Sequence, residues 1–416
     1  MKKNNMHPKA IVLMFFLLES TAVIAESDED KHTFRLGFRP RLAMVERPEK
    51  VGEDGRSASV LIRINLQSEW NDYFSSEVEL DYVATAWNSE FSNGVDFDDK
   101  PFIPDVPGAE INQAFVRYSL SSSVQLDVGR KTINIGNQRF VGANGFWQNA
   151  QSFDTAGMEV KIATSSRISY AYVNNANRIF GDKSPTLPWP GYDVSARGGP
   201  NQVAGDHEHQ THLVNSEFRE WDYSQLQAYY LDINDLDAPV VRNRTAGLRY
   251  SFERNISGIK PHVDVEVAQQ RRKSVTQPLM YYRLDAGAGY KFLKMAYRYE
   301  QLNSRSDGGI VTPLGSLHDF GGWGDKFSAL PQGGLKDHSL QFVWRKKPWK
   351  LDVRYHEFYS ENSEEHYGGE LDVDLSFRIK HKNTVQLRYS NFKAASESSE
   401  AFSDESRIYL NYSYNL

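Results

Sequence analysis

The sequence predicts an all-β fold, a transmembrane antiparallel β-barrel of about 18 strands with short periplasmic turns and long extracellular loops. Three observations predict it. Apolar residues recur at every second position in about eighteen segments of roughly nine to thirteen residues, the length of a tilted membrane strand. The connections between these segments alternate between short and long. The final ten residues form one more segment of the same kind.

The alternation is clearest near the two ends of the chain. In TFRLGFRPRLAM, which starts at Thr33, the even-numbered residues are apolar except Pro40, and three of the odd-numbered residues are arginines. In the closing RIYLNYSYNL, which starts at Arg407, every even-numbered residue is apolar or aromatic. Successive side chains of a strand point to opposite faces, so we expect the apolar face to meet lipid and the mixed polar face to line an aqueous lumen.

The connections between the predicted strands are sorted by length. The short connections include Asn71–Asp72, Ser121–Ser123, Lys346–Pro348 and His381–Asn383. The long connections include Trp87–Ala109, Thr132–Asp154, Asn174–Asp206, Asn303–Lys336 and Lys393–Asp404. A soluble β-sandwich gives no reason for this sorting, whereas a membrane barrel has tight periplasmic turns and long outer loops. An even number of strands also places both ends of the barrel on the periplasmic side.

The last strand reaches the final residue, Leu416, without a tail. In lipid every backbone donor and acceptor must be paired, so we expect this strand to close the barrel against the first one. Its pattern also resembles the C-terminal signal read by the outer-membrane barrel assembly machinery, with Leu416 in place of the usual phenylalanine. The assembly machinery is therefore an expected partner.

Residues 1–25 are predicted to be a secretory signal peptide. Three lysines flank the start of the apolar run Ala10–Leu18, which is about half the length of a membrane-spanning helix, and the small residues Val23 and Ala25 mark a cleavage site. We expect a mature barrel at residues 26–416 in the outer membrane of a Gram-negative cell, in contact with lipid and lipopolysaccharide. Removal of three lysines and one glutamate takes the formal charge from −6 to −8.

Arginines recur on the predicted lumenal face, where we expect them to line a substrate pathway. They are Arg35, Arg39, Arg41, Arg63, Arg117, Arg249, Arg283, Arg298, Arg354, Arg378, Arg388 and Arg407. Arginine keeps its charge at physiological pH and binds carboxylates in a bidentate fork, which suits a uronate chain. Rings of basic side chains also make pores anion-selective. The alternative is a lining of salt bridges with lumenal acids such as Glu79, Asp264 and Asp374.

Two stretches resemble the signature segments of the alginate export family of outer-membrane barrels. These are residues 128–160 and 317–342, and HYGGELDVDLSF at 366–377 is a weaker third match. The matching loop residues are Arg130, Gln138, Arg139, Phe140, Gly142, Asp154, Trp323, Asp325 and Lys326. The resemblance implies a channel for anionic polysaccharide or oligosaccharide, in export or uptake, and export would add a periplasmic complex as partner. The alternative function is a general anion-preferring porin.

Other function classes find little support in the sequence. The chain has no cysteine, which excludes disulfides and thiol chemistry. A barrel hydrolase needs an aligned Ser–His pair, and candidates such as His356 and Ser390 have no partner that the sequence identifies. No phosphate loop, nucleotide fingerprint or nucleic-acid module is present, so we expect neither an enzyme nor a cofactor nor a nucleic-acid partner. A structural or adhesion barrel is the third class, and conductance distinguishes it from a pore.

Three loop segments remain ambiguous. The histidines His207, His209 and His212 are expected to lie in a solvated loop without a metal, although histidines at i and i+2 share a strand face. The acidic run with Asp96, Asp98 and Asp99 lacks the glycine and closing glutamate of a calcium loop and is expected to be solvated. The segment Ser184–Asn201 is rich in Pro and Gly and either folds into the channel or decorates the outside.

Overall fold

The computed structural model describes residues 31–48, 54–86, 89–93, 100–181, 205–380, 383–396, 398 and 402–414. The predicted signal peptide, the acidic run at 96–99 and the segment 184–201 lie outside the described residues. Among the described residues, no helix is long and apolar enough to span a membrane.

The described residues form one antiparallel sheet of 18 strands, the predicted number. The strands are β1 (His32–Glu46), β2 (Gly55–Asn71), β3 (Phe74–Thr85), β4 (Gly108–Ser121), β5 (Val124–Lys131), β6 (Ser152–Lys161), β7 (Arg167–Asn177), β8 (His207–Phe218), β9 (Ser224–Ile233), β10 (Asn243–Glu253), β11 (Ile259–Arg272), β12 (Leu279–Tyr290), β13 (Leu293–Leu302), β14 (Leu335–Lys346), β15 (Trp349–Tyr359), β16 (His366–Lys380), β17 (Asn383–Ala394) and β18 (Glu405–Tyr414). A small hairpin pairs Ser304–Arg305 with Gly308–Gly309, and single 3₁₀ turns occur at Pro239–Val241 and Leu317–Asp319.

The sheet closes into a barrel through its first and last strands. β18 pairs antiparallel with β1, from Phe38 opposite Tyr414 to Glu46 opposite Ser406, and it also pairs with β17. Each strand therefore has a hydrogen-bonded neighbour on both sides, as lipid requires. The prediction that the C-terminal segment is the closing strand is confirmed.

The two faces of the barrel follow the predicted alternation. On β2 and β3, Leu66 and Tyr82 are 41% and 51% exposed on the outer face, whereas Asn65 and Asp81 are buried on the inner face. On β18, Arg407 and Tyr409 are buried inside the barrel. Side chains that are apolar and exposed thus face outward, and polar side chains face the lumen, as the period of two predicts.

Three of the long connections have described residues that pack inside the barrel, and we call these the inner loops: the described residues of 86–107, and residues 132–151 and 303–334. Ile103 and Trp147 of the first two pack with Val45 and Tyr409 on the inner face of β1 and β18. The second and third contribute side chains to a larger apolar cluster with the inner faces of β9, β12, β15 and β17. Its members include Phe140, Leu314, Phe327, Leu330, Tyr229, Tyr281, Phe358 and Phe392. The barrel therefore encloses an apolar core made by its own loops, which narrows the lumen.

Candidate functional site: the arginine-lined lumen and its inner loops

The second and third inner loops are joined by backbone and amide hydrogen bonds. Val141 and Leu314 form an isolated β-bridge, and the backbone N–H of Gly142 donates to the Leu314 carbonyl at 2.9 Å. The side-chain amide of Gln151 donates to the same carbonyl at 2.9 Å. The backbone N–H of Ser316 donates to the Gln138 carbonyl at 2.9 Å. The two loops therefore form one unit, although about 160 residues separate them along the chain.

The motif residues of the second inner loop attach this unit to the lumenal wall. Arg139 is buried and forms an ion pair with Glu300 of β13 at 3.2 Å. Phe140 packs its ring against Tyr229 and Tyr281, with ring centroids 5.9 and 5.2 Å apart. Gly142 is packed so closely that an added Cβ would lie 2.4 Å from the Ser316 hydroxyl oxygen. These residues hold the loop in place.

The motif residues of the third inner loop attach it to β16 and β18. The backbone N–H of Trp323 donates to Asp372 at 3.1 Å, and the next N–H donates to Glu370 at 2.7 Å. Asp325 forms an ion pair with Arg407 at 3.0 Å, and Lys326 forms one with Glu405 at 3.0 Å. Burial lowers the pKa of Lys326, and the carboxylate of Glu405 partly offsets this effect. Residues 317–342, the second stretch singled out in the sequence, thus also attach an inner loop to the barrel wall.

Two of the matched residues are not in loops. Arg130 lies on β5 and Asp154 on β6, and they form a bidentate ion pair with distances of 2.6 and 3.0 Å. Arg130 follows Val128 by two residues on an uninterrupted strand, and Val128 is 55% exposed on the outer face. Because side chains on a strand alternate between the two faces, Arg130 lies on the outer face like Val128, and so does its partner Asp154. Both residues are near the extracellular ends of their strands. The prediction of a loop location was wrong for these two residues.

All twelve predicted arginines lie on strands with lumenal parity, but nine of them contact a carboxylate. The ion pairs are Arg41–Asp105, Arg63–Asp81, Arg117–Asp127, Arg249–Asp264, Arg283–Asp264, Arg298–Asp285, Arg354–Asp352, Arg388–Asp374 and Arg407–Glu405. The arginines expected to form a continuous wall across the closure of the barrel do lie side by side on the lumenal face. Much of its charge is compensated, as the salt-bridge alternative anticipated.

Three arginines have no carboxylate partner in the described part of the chain. Arg35 on β1 and Arg378 on β16 are exposed, and neither side chain makes an ion pair or hydrogen bond to a described residue. Both lie toward the periplasmic ends of their strands. Arg39 is held by neutral groups of the second inner loop: its Nε donates to Gln148 at 2.9 Å, and its terminal nitrogens donate to the carbonyls of Gly145 and Trp147. These three carry the uncompensated positive charge of this wall.

Aromatic side chains of the inner loops stack on the lumenal arginines. The Arg388 guanidinium lies 4.1 Å from the ring centre of Trp323 and 4.5 Å from that of Phe146. Arg354 lies 4.5 Å from the ring centre of Trp323. Such contacts stabilise a cation without neutralising its charge. The site thus combines guanidinium groups with flat aromatic faces.

His318 joins this cluster at the centre of the third inner loop. Its ring stacks on Phe146 with centroids 3.9 Å apart, and Nδ1 lies 2.9 Å from a carboxylate oxygen of Asp325. Its Nε2 lies 2.9 Å from a terminal nitrogen of Arg388, which can only donate, so Nε2 accepts and the ring is neutral. Burial lowers the pKa of His318, and the charge of Arg388 acts in the same direction. Neither His318 nor Phe146 was identified from the sequence, because each acts through contacts distant along the chain.

Comparisons with known proteins identify the class of fold. No family model matches the chain. No curated protein matches it either. Among solved structures, OccAB2 of Acinetobacter baumannii matches with a TM-score of 0.68 and 14% identity, over 92% of this chain and 98% of that chain. OccK5 (OpdH) of Pseudomonas aeruginosa matches with a TM-score of 0.67 and 12% identity, over 92% and 97%.

A structure of Pseudomonas aeruginosa OpdK with vanillate also matches, with a TM-score of 0.69 and 11% identity, over 92% of this chain and 98% of that chain. The chain therefore has the fold of 18-strand outer-membrane porins. At these identities the likeness concerns the fold alone. The resemblance to the alginate export family and the pathway role of the arginines remain predictions.

Proposed function

We propose that this protein is an outer-membrane channel that passes small solutes bearing carboxylates, including short uronate oligosaccharides. The observation that carries the proposal is the uncompensated charge of Arg35, Arg39 and Arg378 on the lumenal wall. The porin fold and the polar lumenal face support a channel, and basic side chains in a lumen favour anions.

Charge and spacing support a carboxylate as the solute. Arg35 and Arg39 point to the same face of β1 four residues apart, a separation of roughly 13 Å along the strand. Each guanidinium retains N–H donors that can bind a carboxylate in a bidentate fork. Glu77 works in the opposite direction, because it lies on the lumenal face of β3 and bonds amides such as that of Asn65 at 2.7 Å. The proposed channel therefore passes anions more readily than cations but does not exclude cations.

The inner loops support a small solute over a wide polymer chain. They place Trp147, Phe327 and other apolar side chains inside the barrel, where a large porin would have water. OpdK, which shares the fold, has been crystallised with vanillate, an aromatic carboxylate. The narrowed lumen favours passage of short oligomers or single acids. It does not favour secretion of a long alginate chain.

The second candidate function is a general anion-preferring porin without a dedicated substrate. The nine salt-bridged arginines favour it, because a compensated lining attracts no particular anion. A barrel has no intrinsic direction of transport, so both functions are compatible with uptake down a gradient. The two differ in whether a uronate binds inside the channel.

The test is current block in planar bilayers at low salt, where the Debye length is roughly 30 Å. Galacturonate oligomers added to one side should block the wild-type current at concentrations at which neutral galactose oligomers do not. The double variant Arg35→Gln/Arg378→Gln should require a severalfold higher oligouronate concentration for the same block, and Arg39→Gln should do the same. The matched control is Arg244→Gln/Arg271→Gln, which removes two exposed arginines from the outer face and should leave the block unchanged.

Three results would overturn the proposal. Equal block by neutral and acidic oligomers would exclude recognition of the carboxylate. Specific block that the arginine variants leave unchanged would place recognition elsewhere in the lumen. Anion-selective conductance without any block by oligouronates would favour the general porin.

A further inference from the structure

The extracellular end of the barrel contains a buried cluster of two histidines and one aspartate. His207 and His209 lie on the lumenal face of β8, and Asp235 lies in the connection 234–242 between β9 and β10. All three are 1% exposed, and one potential ligand atom from each lies within 4.8 Å of the others. The expectation that these histidines lie in a solvated loop was wrong for His207 and His209. His212, with the opposite parity, is exposed on the outer face and contacts the hydroxyl of Tyr170.

We propose that His207, His209 and Asp235 bind a divalent transition-metal ion of the zinc class. This site is independent of the solute pathway proposed above.

The distance between His209 and Asp235 fits two ligands of one ion better than it fits a hydrogen bond. Nε2 of His209 lies 3.7 Å from Oδ2 of Asp235, which is too long for a hydrogen bond. Two ligands on a tetrahedral zinc with bonds of 2.0–2.1 Å lie about 3.3 Å apart, so a shift of a few tenths of an ångström suffices. Nδ1 of His207 forms a 2.6 Å hydrogen bond with the same Oδ2, and binding of an ion would replace this bond with a separation about 0.7 Å longer.

The ring nitrogens give a second, independent observation. Nε2 of His209 is fully buried and has no hydrogen-bond partner among the described residues, and the same holds for Nε2 of His207. A buried polar atom without a partner costs roughly 1–3 kcal/mol. A metal ion between His209 and Asp235 would satisfy one of these atoms directly.

Hydrogen bonds from neighbouring groups hold the side chains of the cluster in the orientations that metal ligands adopt. Nδ1 of His209 lies 3.0 Å from the hydroxyl of Thr211, which leaves Nε2 directed at the aspartate. Oδ1 of Asp235 accepts the backbone N–H groups of Asp237 and Ala238 at 3.0 and 2.8 Å, which leaves Oδ2 directed at both histidines. Outer contacts of this kind fix the tautomer and the ring orientation in metal sites.

The local charges permit a cation at this position. Asp237 lies near the cluster and adds negative charge, while the buried Arg178 opposes a cation. Two imidazoles and one carboxylate suit zinc, nickel or copper, whereas calcium and magnesium require more oxygen ligands. With three protein ligands, the ion would keep an open position for water. The bound ion would join the 234–242 connection to the start of β8.

The test uses untagged full-length protein in detergent, stripped of metal with a chelator. We expect one equivalent of Co²⁺ to bind with visible absorption bands of a tetrahedral site, and Zn²⁺ to displace it. His209→Gln and Asp235→Asn should weaken binding at least tenfold. Thr211→Val keeps all three ligands and removes the hydroxyl that orients His209 and accepts the backbone N–H of Asn234, so it should weaken binding by about 10–100-fold. His212→Gln, a histidine change on the same strand outside the cluster, should bind like the wild type.

A structural readout accompanies the binding measurement. Arg242 is exposed at the end of the 234–242 connection, so Zn²⁺ should slow tryptic cleavage there in the wild type and not in His209→Gln. Failure of the wild type to bind Co²⁺ or Zn²⁺ at high micromolar concentration would overturn the proposal. Equal loss of binding in His212→Gln would also overturn it, since the ion would then be bound elsewhere. Thr211→Val keeps the proposal testable if a ligand variant fails to assemble.

Discussion

The buried ion pair between Arg41 and Asp105 holds the first two inner loops against the barrel wall. Arg41 on β1 is 2% exposed, and its terminal nitrogen lies 2.9 Å from Oδ1 of Asp105. Oδ2 of Asp105 accepts the hydroxyl of Ser59 at 2.8 Å. Arg41 also donates to Asn411 of β18 at 2.7 Å and to the carbonyl of Phe146. Asp105→Asn keeps the size of this side chain and removes its charge.

The expected cost follows from leaving a guanidinium buried without its anion. Removal of one partner of a buried pair costs about 3–5 kcal/mol, and the remaining amide oxygen places this variant near the lower figure. The barrel itself should remain intact, because β1 is hydrogen-bonded to β2 and β18 along its length. The cost therefore falls on docking of the inner loops, and about 3 kcal/mol corresponds to more than a hundredfold change in the docking equilibrium.

The assay is single-channel recording of the purified protein in planar bilayers. We expect Asp105→Asn to show larger conductance and more current noise than the wild type, because the first two inner loops leave the lumen part of the time. Glu90→Gln is the matched control: Glu90 belongs to the same loop, its side chain is 66% exposed, and its contact with Lys100 is long at 4.0 Å. If Asp105→Asn and Glu90→Gln gave identical wild-type recordings, the pair would not hold the loops and the reasoning would fail.

Two further predictions concern pH and assembly. The pKa of His318 is lowered by burial, so its neutral form stabilises docking of the third inner loop above the ordinary histidine pKa, and this contribution is lost as pH falls from about 6.5 toward the lowered value. Channel noise should therefore rise as the pH falls below about 6.5 in the wild type and in His212→Gln but not in His318→Gln. A rise in His318→Gln equal to that of the wild type would assign the effect to other groups. Tyr412→Asp places a charge on the lipid-facing side of β18 at a cost on the order of 1–3 kcal/mol, so the heat-shifted band of folded barrel on gels should be lost. Asn411→Asp, a lumenal change on the same strand, should retain that band, and a wild-type band in Tyr412→Asp would contradict the outward register.

The strands could be predicted from the sequence because their signal is local. Lipid and water impose a period of two on each strand separately, so the faces of β1, β2, β3 and β18 can be assigned without knowledge of the pairing. The sorting of short and long connections then gives the order of the strands. The same reasoning placed all twelve arginines on the lumenal face.

The contacts of those arginines could not be predicted, because they depend on how the loops fold back. Asp105 meets Arg41 across 64 residues, and Asp325 meets Arg407 across 82. The cluster of His207, His209 and Asp235 likewise requires the pairing of β8 with β9 and the turn that follows. In the sequence, the cluster is indicated only by two histidines at i and i+2 and by an acidic residue after β9, and this signal is weak.

The two stretches that resemble the alginate export family have a structural role here. Gln138, Arg139 and Phe140 attach the second inner loop, and Trp323 with Asp325 attaches the third. Residues of this kind specify how the loops narrow the barrel. In the proposed function, solute preference depends instead on groups that face the remaining lumen, such as Arg35 and Arg39.

The most direct test of an anion-preferring channel is the reversal potential of the wild-type protein in a tenfold gradient of KCl at low ionic strength. Selectivity follows the field in the lumen and not the total charge, so the reversal potential should move toward the equilibrium potential of chloride although the full sequence carries a formal charge of −6. The triple variant Arg35→Gln/Arg39→Gln/Arg378→Gln should move it back toward zero. A wild-type reversal potential on the potassium side, unchanged in the triple variant, would contradict the account.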